Sequence, residues 1–307
     1  MSISLPSSYE TLDTTHIKVS HHPAGSPTVT PVVVVTLNRP EKQNAYTEQM
    51  GSSLQHVFQL FDVDSRVKVI VLTGAGKTFC AGADLEIGFN GVRGRIMDHR
   101  DSGGRITLAI HRCRKPTIFA MQGSAVGVGM TMSLPATIRI AHEKSKYGFV
   151  FGRRGITMES ASSYFLPRLI GYSRAMYLVS TGAVLPPTSK HFGSLFSETL
   201  PEASQVLPRA LALATDMAEN VSPLASSLNR DLMWRGPDSP EEAHLLDSGI
   251  LLHMFQGRDQ REGVAAFLEK RKAKFQANFD EDAPVIYPWW KETHIDARPK
   301  AARASKL

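Results

Sequence analysis

Val69–Leu85 reads VIVLTGAGKTFCAGADL, and the rest of the chain is organised around it. Its opening run, Val69-Ile70-Val71-Leu72, is apolar and β-branched, which predicts a strand buried on both faces. Beyond Thr73-Gly74-Ala75-Gly76 the side chains become small. Ala81-Gly82-Ala83-Asp84 reads as a turn, with Asp84 placed to cap the segment after it. A buried strand that runs into a loop free of bulky side chains brings backbone N–H groups close to a bound group, which is what an oxyanion hole requires. Two other readings of these glycines fail on spacing. A phosphate loop needs a glycine where Val71 stands, and a dinucleotide fingerprint from Gly74 needs one where Phe79 stands. A plain structural turn stays open as the alternative.

On the N-terminal side, Pro31–Leu37 predicts a strand and Asn38–Ala45 a polar turn. From Thr47 to Phe61, Met50, Leu54, Val57, Phe58 and Phe61 recur at helical spacing. Strand, helix and strand in that order imply a parallel pair with a right-handed crossover. Ile17–Ser20 reads as a short edge strand, and His21-His22 as a turn rather than a metal site. On the C-terminal side, Gly88–Gly104 reads as a loop plus an ill-defined helix. Arg105–Cys113 is helical and stops before Lys115-Pro116, and Thr117–Met121 is the next strand.

Gln122–Met132 (QGSAVGVGMTM) then repeats the theme of the opening stretch: a small-residue turn opens a helix whose first N–H groups are free. Two such units make a two-donor oxyanion hole more plausible than one. Ser124 is no nucleophile elbow, because Gln122 stands where glycine is needed. Thr137–Ala141 and Tyr147–Phe149 predict short strands, and Ser160–Tyr164 starts a helix that ends near Pro167. From Ser173 onwards helices are expected over Arg174–Ser180, Thr188–Phe192, Ala203–Asn220, Pro223–Trp234, Pro240–Phe255 and Arg258–Lys270. Asp280–Leu307, with its prolines and Trp289-Trp290, reads as extended. The organisation is an α/β front followed by a helical back, with no internal repeat.

At 307 residues the chain is long enough for one large domain or two. Its 42% hydrophobic and 21% charged residues are ordinary for a globular protein. No apolar run reaches the roughly 20 residues that cross a bilayer, and the N-terminus lacks the pattern of a secretory signal. Cys80 and Cys113 form no disulfide framework, and Cys80 has no basic neighbour in sequence to activate it. His99, His111, His142 and His191 have no metal-ligand spacing. A net charge of +6 and a pI near 9.3 suit an anionic partner: nucleic acid, a membrane surface or a polyanionic small molecule. The basic residues are scattered with little aromatic interleaving, so nucleic acid is only weakly favoured. Ser305-Lys306-Leu307 at the C-terminus matches the address read by the peroxisomal import receptor, which predicts a peroxisomal protein.

Four ordered segments together resemble one family: LNRPEKQNA (Leu37–Ala45), VIVLTGAGKTFCAGADL, QGSAVGVGM (Gln122–Met130) and REGVAAFLEKR (Arg261–Arg271). The chain from about Pro31 to about Phe275 is similar to the enoyl-CoA hydratase/isomerase, or crotonase, superfamily. The resemblance implies an α/β spiral of ββα units over residues 26–200, after an N-terminal segment 1–25. It also implies a C-terminal helical region over 201–275 used in trimerisation, as a homotrimer or dimer of trimers, and leaves 276–307 as an extended tail. The implied substrate is an acyl-CoA thioester, with no cofactor beyond its own CoA.

Carried over position by position, the two oxyanion donors are the main-chain N–H groups of Ala83 and Val128. Ala81, Gly82, Asp84, Leu85, Gly127 and Gly129 surround the substrate. Lys270 fits the CoA phosphates or is simply a solvated helix residue. The family's hydratases use two glutamates, and here those positions hold Thr131 and Phe151. The third position at which members place an acid holds Glu159, followed by Ser-Ala-Ser-Ser-Tyr, as in single-glutamate Δ3,Δ2-enoyl-CoA isomerases. A lone glutamate before a helix is ordinarily a charge favoured by the helix dipole; the resemblance makes Glu159 the catalytic acid/base. An enoyl-CoA hydratase and a non-catalytic acyl-CoA or RNA-binding member are the competing readings.

Overall fold

The computed structural model describes residues 4–88 and 98–295. Its centre is β3 (Val69–Gly74), buried along its whole length. Ile70 and Leu72 join the main core on one face, while Val69 and Val71 join a second core on the other. Strand alternation sends successive side chains to opposite faces, so an unbroken apolar run is what a strand covered on both sides needs. Truncating Leu72 to alanine here would cost about 2–5 kcal/mol.

The sheet order is β1 (Ile17–His22), β2 (Val32–Leu37), β3, β4 (Thr117–Met121), β6 (Ile138–His142) and β9 (Glu198–Leu200). β1 pairs antiparallel with β2 at the edge, and every later pairing in this sheet is parallel. Between β2 and β3 the chain crosses over through α1 (Glu48–Val63), started by Thr47, whose hydroxyl accepts from the Met50 N–H at 3.1 Å. The buried face of α1 carries Met50, Leu54, Val57, Phe58 and Phe61, the residues picked out by helical spacing. α2 (Ser102–Arg112) packs beside it and leads into β4.

A smaller sheet holds β5 (Ala125–Val126), β7 (Tyr147–Gly148) and β8 (Val184–Leu185) in the order β5-β7-β8. The one-turn helix α3 (Val128–Thr131) comes after β5, and α4 (Ser162–Ile170) and α5 (Tyr172–Thr181) come after β7. On the far side of the main sheet lies α6 (Ala203–Asn220). Its Val206, Ala210, Ala214 and Ala218 recur every fourth residue, and these small side chains let its axis lie close on β3 and β4.

Beyond Ser173 the purely helical expectation is corrected twice. Val184–Leu185 and Glu198–Leu200 are strands, too short and too polar for alternation to mark, and held by pairing with β7 and β6. Thr188–Phe192 shrinks to a 3₁₀ turn over Lys190–Phe192. The remaining helices match closely: α7 (Pro223–Arg235), α8 (Pro240–Phe255) and α9 (Arg258–Leu268). The segment expected to be extended beyond these helices is anchored instead. It forms the short helix α10 (Phe279–Asp282), and Phe279, Tyr287 and Trp289 join a third core with Leu224, Leu228 and Ile250. Buried Asp259 accepts from the Gln276 and Ala277 N–H groups at 2.8 and 2.9 Å, and Arg100 Nε donates to the Ile295 carbonyl at 2.6 Å. Among the described residues no helix is long and apolar enough to cross a membrane.

Candidate active site

β3 and β4 each end in a loop, and the two loops are stitched together. Cys80 bridges to Ala125 in parallel fashion: its N–H donates to the Ser124 carbonyl and its carbonyl accepts from the Val126 N–H, both at 3.2 Å. Asn44 and Gln122 fix the shape of the first loop. Asn44 Nδ2 donates to the carbonyls of Ala75 and Thr78 at 2.8 and 2.7 Å, and Gln122 Nε2 donates to that of Gly74 at 2.6 Å. Tyr46 runs beside Ala83, donating its N–H to the Gly82 carbonyl and accepting from the Asp84 N–H. This pairing steps over Ala83, whose own N–H meets no acceptor among the described residues. Val128 is the first residue of α3, behind Gly127 at φ 53°, and its N–H is likewise unpaired among them.

Close approach explains the small residues. A Cβ on Gly129 would lie 2.6 Å from the Cys80 carbonyl oxygen, and one on Gly127 would lie 3.9 Å from Gly82 Cα. Gly82 itself has φ 92°, a conformation that side chains disfavour. The two loops therefore meet at Gly82 and Gly127, next to the two free N–H groups. Free amides beside a helix N-terminus suit an anionic oxygen.

Glu159 sits on the far side of Val128. Gly103 on α2 marks the meeting point: a Cβ there would lie 2.5 Å from Glu159 Oε2, 2.3 Å from Ser160 Oγ and 3.3 Å from Val128 Cγ2. The Glu159 carboxylate is half-buried, and among the described residues its hydrogen-bond partners are hydroxyls. Thr131 Oγ1 donates to Oε1 at 2.6 Å, and Ser160 Oγ donates to Oε2. Burial pushes its carboxyl above the usual glutamate range, against the two hydroxyl donors that lower it, with the Asp101 charge adding to the rise. Ser160 at φ 55° and Ala161 at φ 51° form a left-handed turn rare for residues with side chains. Phe151 is buried against Phe149 at 6.4 Å between ring centroids, so the second hydratase position offers no acid.

Of the residues named from sequence, Ala81, Gly82, Ala83, Gly127, Val128 and Gly129 converge, and Glu159 faces them across Val128. Asp84 caps a turn as expected, its Oδ1 accepting from the Glu86 N–H at 3.1 Å. Its Oδ2, however, is taken by Arg39 at 2.9 Å. That ion pair holds the Asp84 carboxyl below the usual range and leaves it committed to the loop rather than offered to a ligand. Leu85 is exposed at the rim. Lys270 turns the chain at the end of α9, with φ 55°, and its side chain makes no hydrogen bond or ion pair among the described residues. Ser305, Lys306 and Leu307 lie outside the described residues, as do positions 89–97 of the stretch expected to be a loop plus an ill-defined helix.

Sequence reading passed over Asn44, Tyr46, Asp101 and the Thr131 hydrogen bond. Asn44 stood inside a quoted motif and is fully buried, a combination that signals backbone clamping. Tyr46 is 6% exposed, and its hydroxyl, near Ser102, meets no partner within hydrogen-bonding geometry among the described residues. Burial pushes the Cys80 thiol up to about 12, so it is an inert core group. The buried His111, packed on Phe165 and Trp234, has its pKa pushed down to about 3 and is neutral. Among the described residues no cluster of His, Cys, Asp and Glu could hold a metal ion.

The family model described as enoyl-CoA hydratase/isomerase matches residues 28–278. "Enoyl-CoA hydratase AFT3-1" of Alternaria alternata is 50% identical over 253 residues, covering 82% of this chain and 85% of that protein. "Enoyl-CoA hydratase ACTT3" of the same organism is 49% identical over the same shares. Among solved structures, an enoyl-CoA hydratase from Bacillus anthracis superposes with a TM-score of 0.75 at 27% identity. It covers 86% of this chain and all of that one. With this match over most of its length, two amide-lined loops and a half-buried glutamate, the chain belongs to the enoyl-CoA hydratase/isomerase family of enzymes.

Proposed function

We propose that this enzyme moves the double bond of a 3-enoyl-CoA into conjugation, giving the 2-enoyl-CoA, with Glu159 as the single acid/base. The observation that carries the reading is a carboxylate bonded, among the described residues, to hydroxyls alone, with Thr131 and Phe151 where a two-acid hydratase needs glutamates. The thioester carbonyl oxygen accepts from the Ala83 and Val128 N–H groups. Glu159 takes the C2 proton, and the electron pair of that C–H bond passes into a dienolate whose charge rests on the carbonyl oxygen. The same carboxyl returns the proton at C4, the carbonyl re-forms and the double bond lies between C2 and C3. Each oxyanion donor is worth roughly 3 kcal/mol in comparable sites. A raised pKa makes Glu159 a better base near neutrality and an adequate acid for the return step.

A second reading is favoured by the names of the two Alternaria proteins: hydration of a 2-enoyl-CoA, with Glu159 and Thr131 positioning water. A side-by-side turnover assay on 3-hexenoyl-CoA and 2-hexenoyl-CoA separates the two. Conversion of the first alone is expected; hydration of the second alone overturns the isomerase reading in favour of the hydratase.

Two further expectations belong to the same proposal. The helical back assembles into trimers: on α8 only Ile250 is buried, while Leu245, Leu251, Leu252 and Phe255 are exposed, with Phe267 and Leu268 exposed on α9. A monomer in light scattering at micromolar concentration would refute this. The terminal Ser305-Lys306-Leu307 directs the enzyme to peroxisomes. A fluorescent fusion at the N-terminus should lose its punctate pattern when these three residues are deleted.

A further inference from the structure

Glu159 is aimed by a turn, and that turn is fastened at Ser160 to a residue 59 positions earlier in the chain. Asp101 precedes α2 as its N-cap, and its Oδ2 accepts from the Gly104 N–H at 2.6 Å. The same oxygen accepts from the Ser160 N–H at 3.1 Å. Ser160 is fully buried and adopts φ 55° with Ala161 at φ 51°, so two consecutive residues with side chains hold a left-handed conformation. Such a turn persists only when its surroundings over-determine it. Downstream, the Glu159 carbonyl accepts from the Ser162 N–H and hydroxyl at 2.9 and 2.6 Å, which holds the other end of the turn. The Ser160 hydroxyl in turn donates to Glu159 Oε2.

We propose that Asp101 is the positioning residue for Glu159: one carboxylate oxygen ties the start of α2 to the Ser160–Ala161 turn and so sets where the catalytic carboxylate points. A helix cap alone would need only the Gly104 bond. The second bond, to Ser160, joins the cap to the acid/base residue. Gly103, between the two bonded partners, leaves room for the Glu159 carboxylate against α2. The groups around that carboxylate are the hydroxyls of Thr131 on α3 and of Ser160, the charge of Asp101 at the cap of α2, the Tyr46 phenol and the Cys80 thiol. Burial keeps the last two neutral. Asp101 faces solvent on its other side, so its hydrogen bonds, rather than its screened charge, carry the larger effect.

Because both bonds end on one oxygen, Asp101→Asn can keep them through its amide oxygen, whereas Asp101→Ala loses both. The proposal rests on Glu159 acting as the acid/base, so the test has a readout that does not require turnover. The carboxyl band of Glu159, identified in infrared difference spectra by its loss in Glu159→Gln, is titrated in each variant. Asp101→Ala should lower kcat by about 10²-fold with KM nearly unchanged and should displace or broaden the Glu159 band. Asp101→Asn should restore most of kcat and a single sharp band, with a midpoint at lower pH than wild type. A lowered Tm in Asp101→Ala with kcat and the Glu159 band unchanged would mark a mere helix cap and overturn the proposal. An Asp101→Asn enzyme as impaired as Asp101→Ala would overturn it too, and this arm survives if the alanine variant fails to fold. Should Glu159→Gln itself retain turnover, the acid/base assignment fails, and the band alone still decides whether Asp101 orients Glu159.

Discussion

Asp84 and Glu159 flank the two halves of the site, and each carboxylate is partly or wholly removed from water. Asp84 lies beside the Ala83 amide and is paired with Arg39 at 2.9 Å, both side chains being nearly inaccessible. Glu159 lies beyond Val128 and has hydroxyls for partners but no cation bonded to it among the described residues. Their pKa values accordingly move in opposite directions, Asp84 down through its hydrogen bond with Arg39 and Glu159 up through burial. A carboxylate satisfied by a cation is a structural brace. One desolvated and held by neutral donors is poised to exchange a proton.

The difference can be broken by exchanging each acid for its amide. Glu159→Gln should reduce turnover by about 10³-fold, within the range that general acid–base catalysis supplies, while acyl-CoA binding persists. Asp84→Asn should leave most of the turnover and lower Tm instead. The pH dependence of stability sharpens the contrast. The folded pKa of Asp84 is depressed, so its stabilisation is present above the unfolded carboxylate value and is lost as pH falls from there through the lower folded pKa. That of Glu159 is raised, so the folded state loses stability as pH rises through the carboxylate range towards the folded pKa. Glu159→Gln should therefore raise Tm at neutral pH, as removal of a functional strain often does. Thermal unfolding of both variants from about pH 2 to pH 8 is the check, since the Asp84 window lies below the ordinary carboxylate range and the Glu159 window above it.

Gly103→Ala has the next largest expected effect. Its methyl would lie 2.5 Å from Glu159 Oε2, so the carboxylate must shift, and kcat should fall by about 10²-fold with a smaller change in KM. Thr131→Val gives the smallest. Losing the 2.6 Å donor to Oε1 disfavours the charged form, so the acidic limb of the kcat/KM profile should move to higher pH with a kcat loss below about tenfold. An acidic limb moved to lower pH would contradict the part assigned to Thr131.

The same contrast separates the parts of the molecule that are legible in the sequence from those that are not. The amide side is written in small residues because backbones approach there: Gly129 against the Cys80 carbonyl leaves room for no side chain, and its Gly-rich turn stands out in the sequence. The double-faced apolar run of β3 likewise marks the centre of the fold. The acid side could be placed only by position in a family motif. Its geometry depends on Asp101, Gly103 and Thr131, which come from the cap and first turn of α2 and from α3 and share no local pattern with Glu159. The strands β8 and β9 escaped for a related reason, since two or three residues cannot show an alternation and are fixed by their partners. The segment 276–295 looked extended because its prolines and aromatics carry no period. Its anchors are the buried Asp259 and the aromatic contacts of Tyr287 and Trp289.

The central claim is that one carboxylate, Glu159, moves the proton at C2 under the two amides of Ala83 and Val128. The most direct measurement is exchange of the C2 hydrogens of a 3-enoyl-CoA with deuterium oxide, monitored by NMR in wild type and Glu159→Gln at matched acyl-CoA occupancy. The account predicts exchange and double-bond migration in wild type and loss of both in the variant, with binding intact. Exchange that continues at the wild-type rate without the Glu159 carboxylate would contradict it.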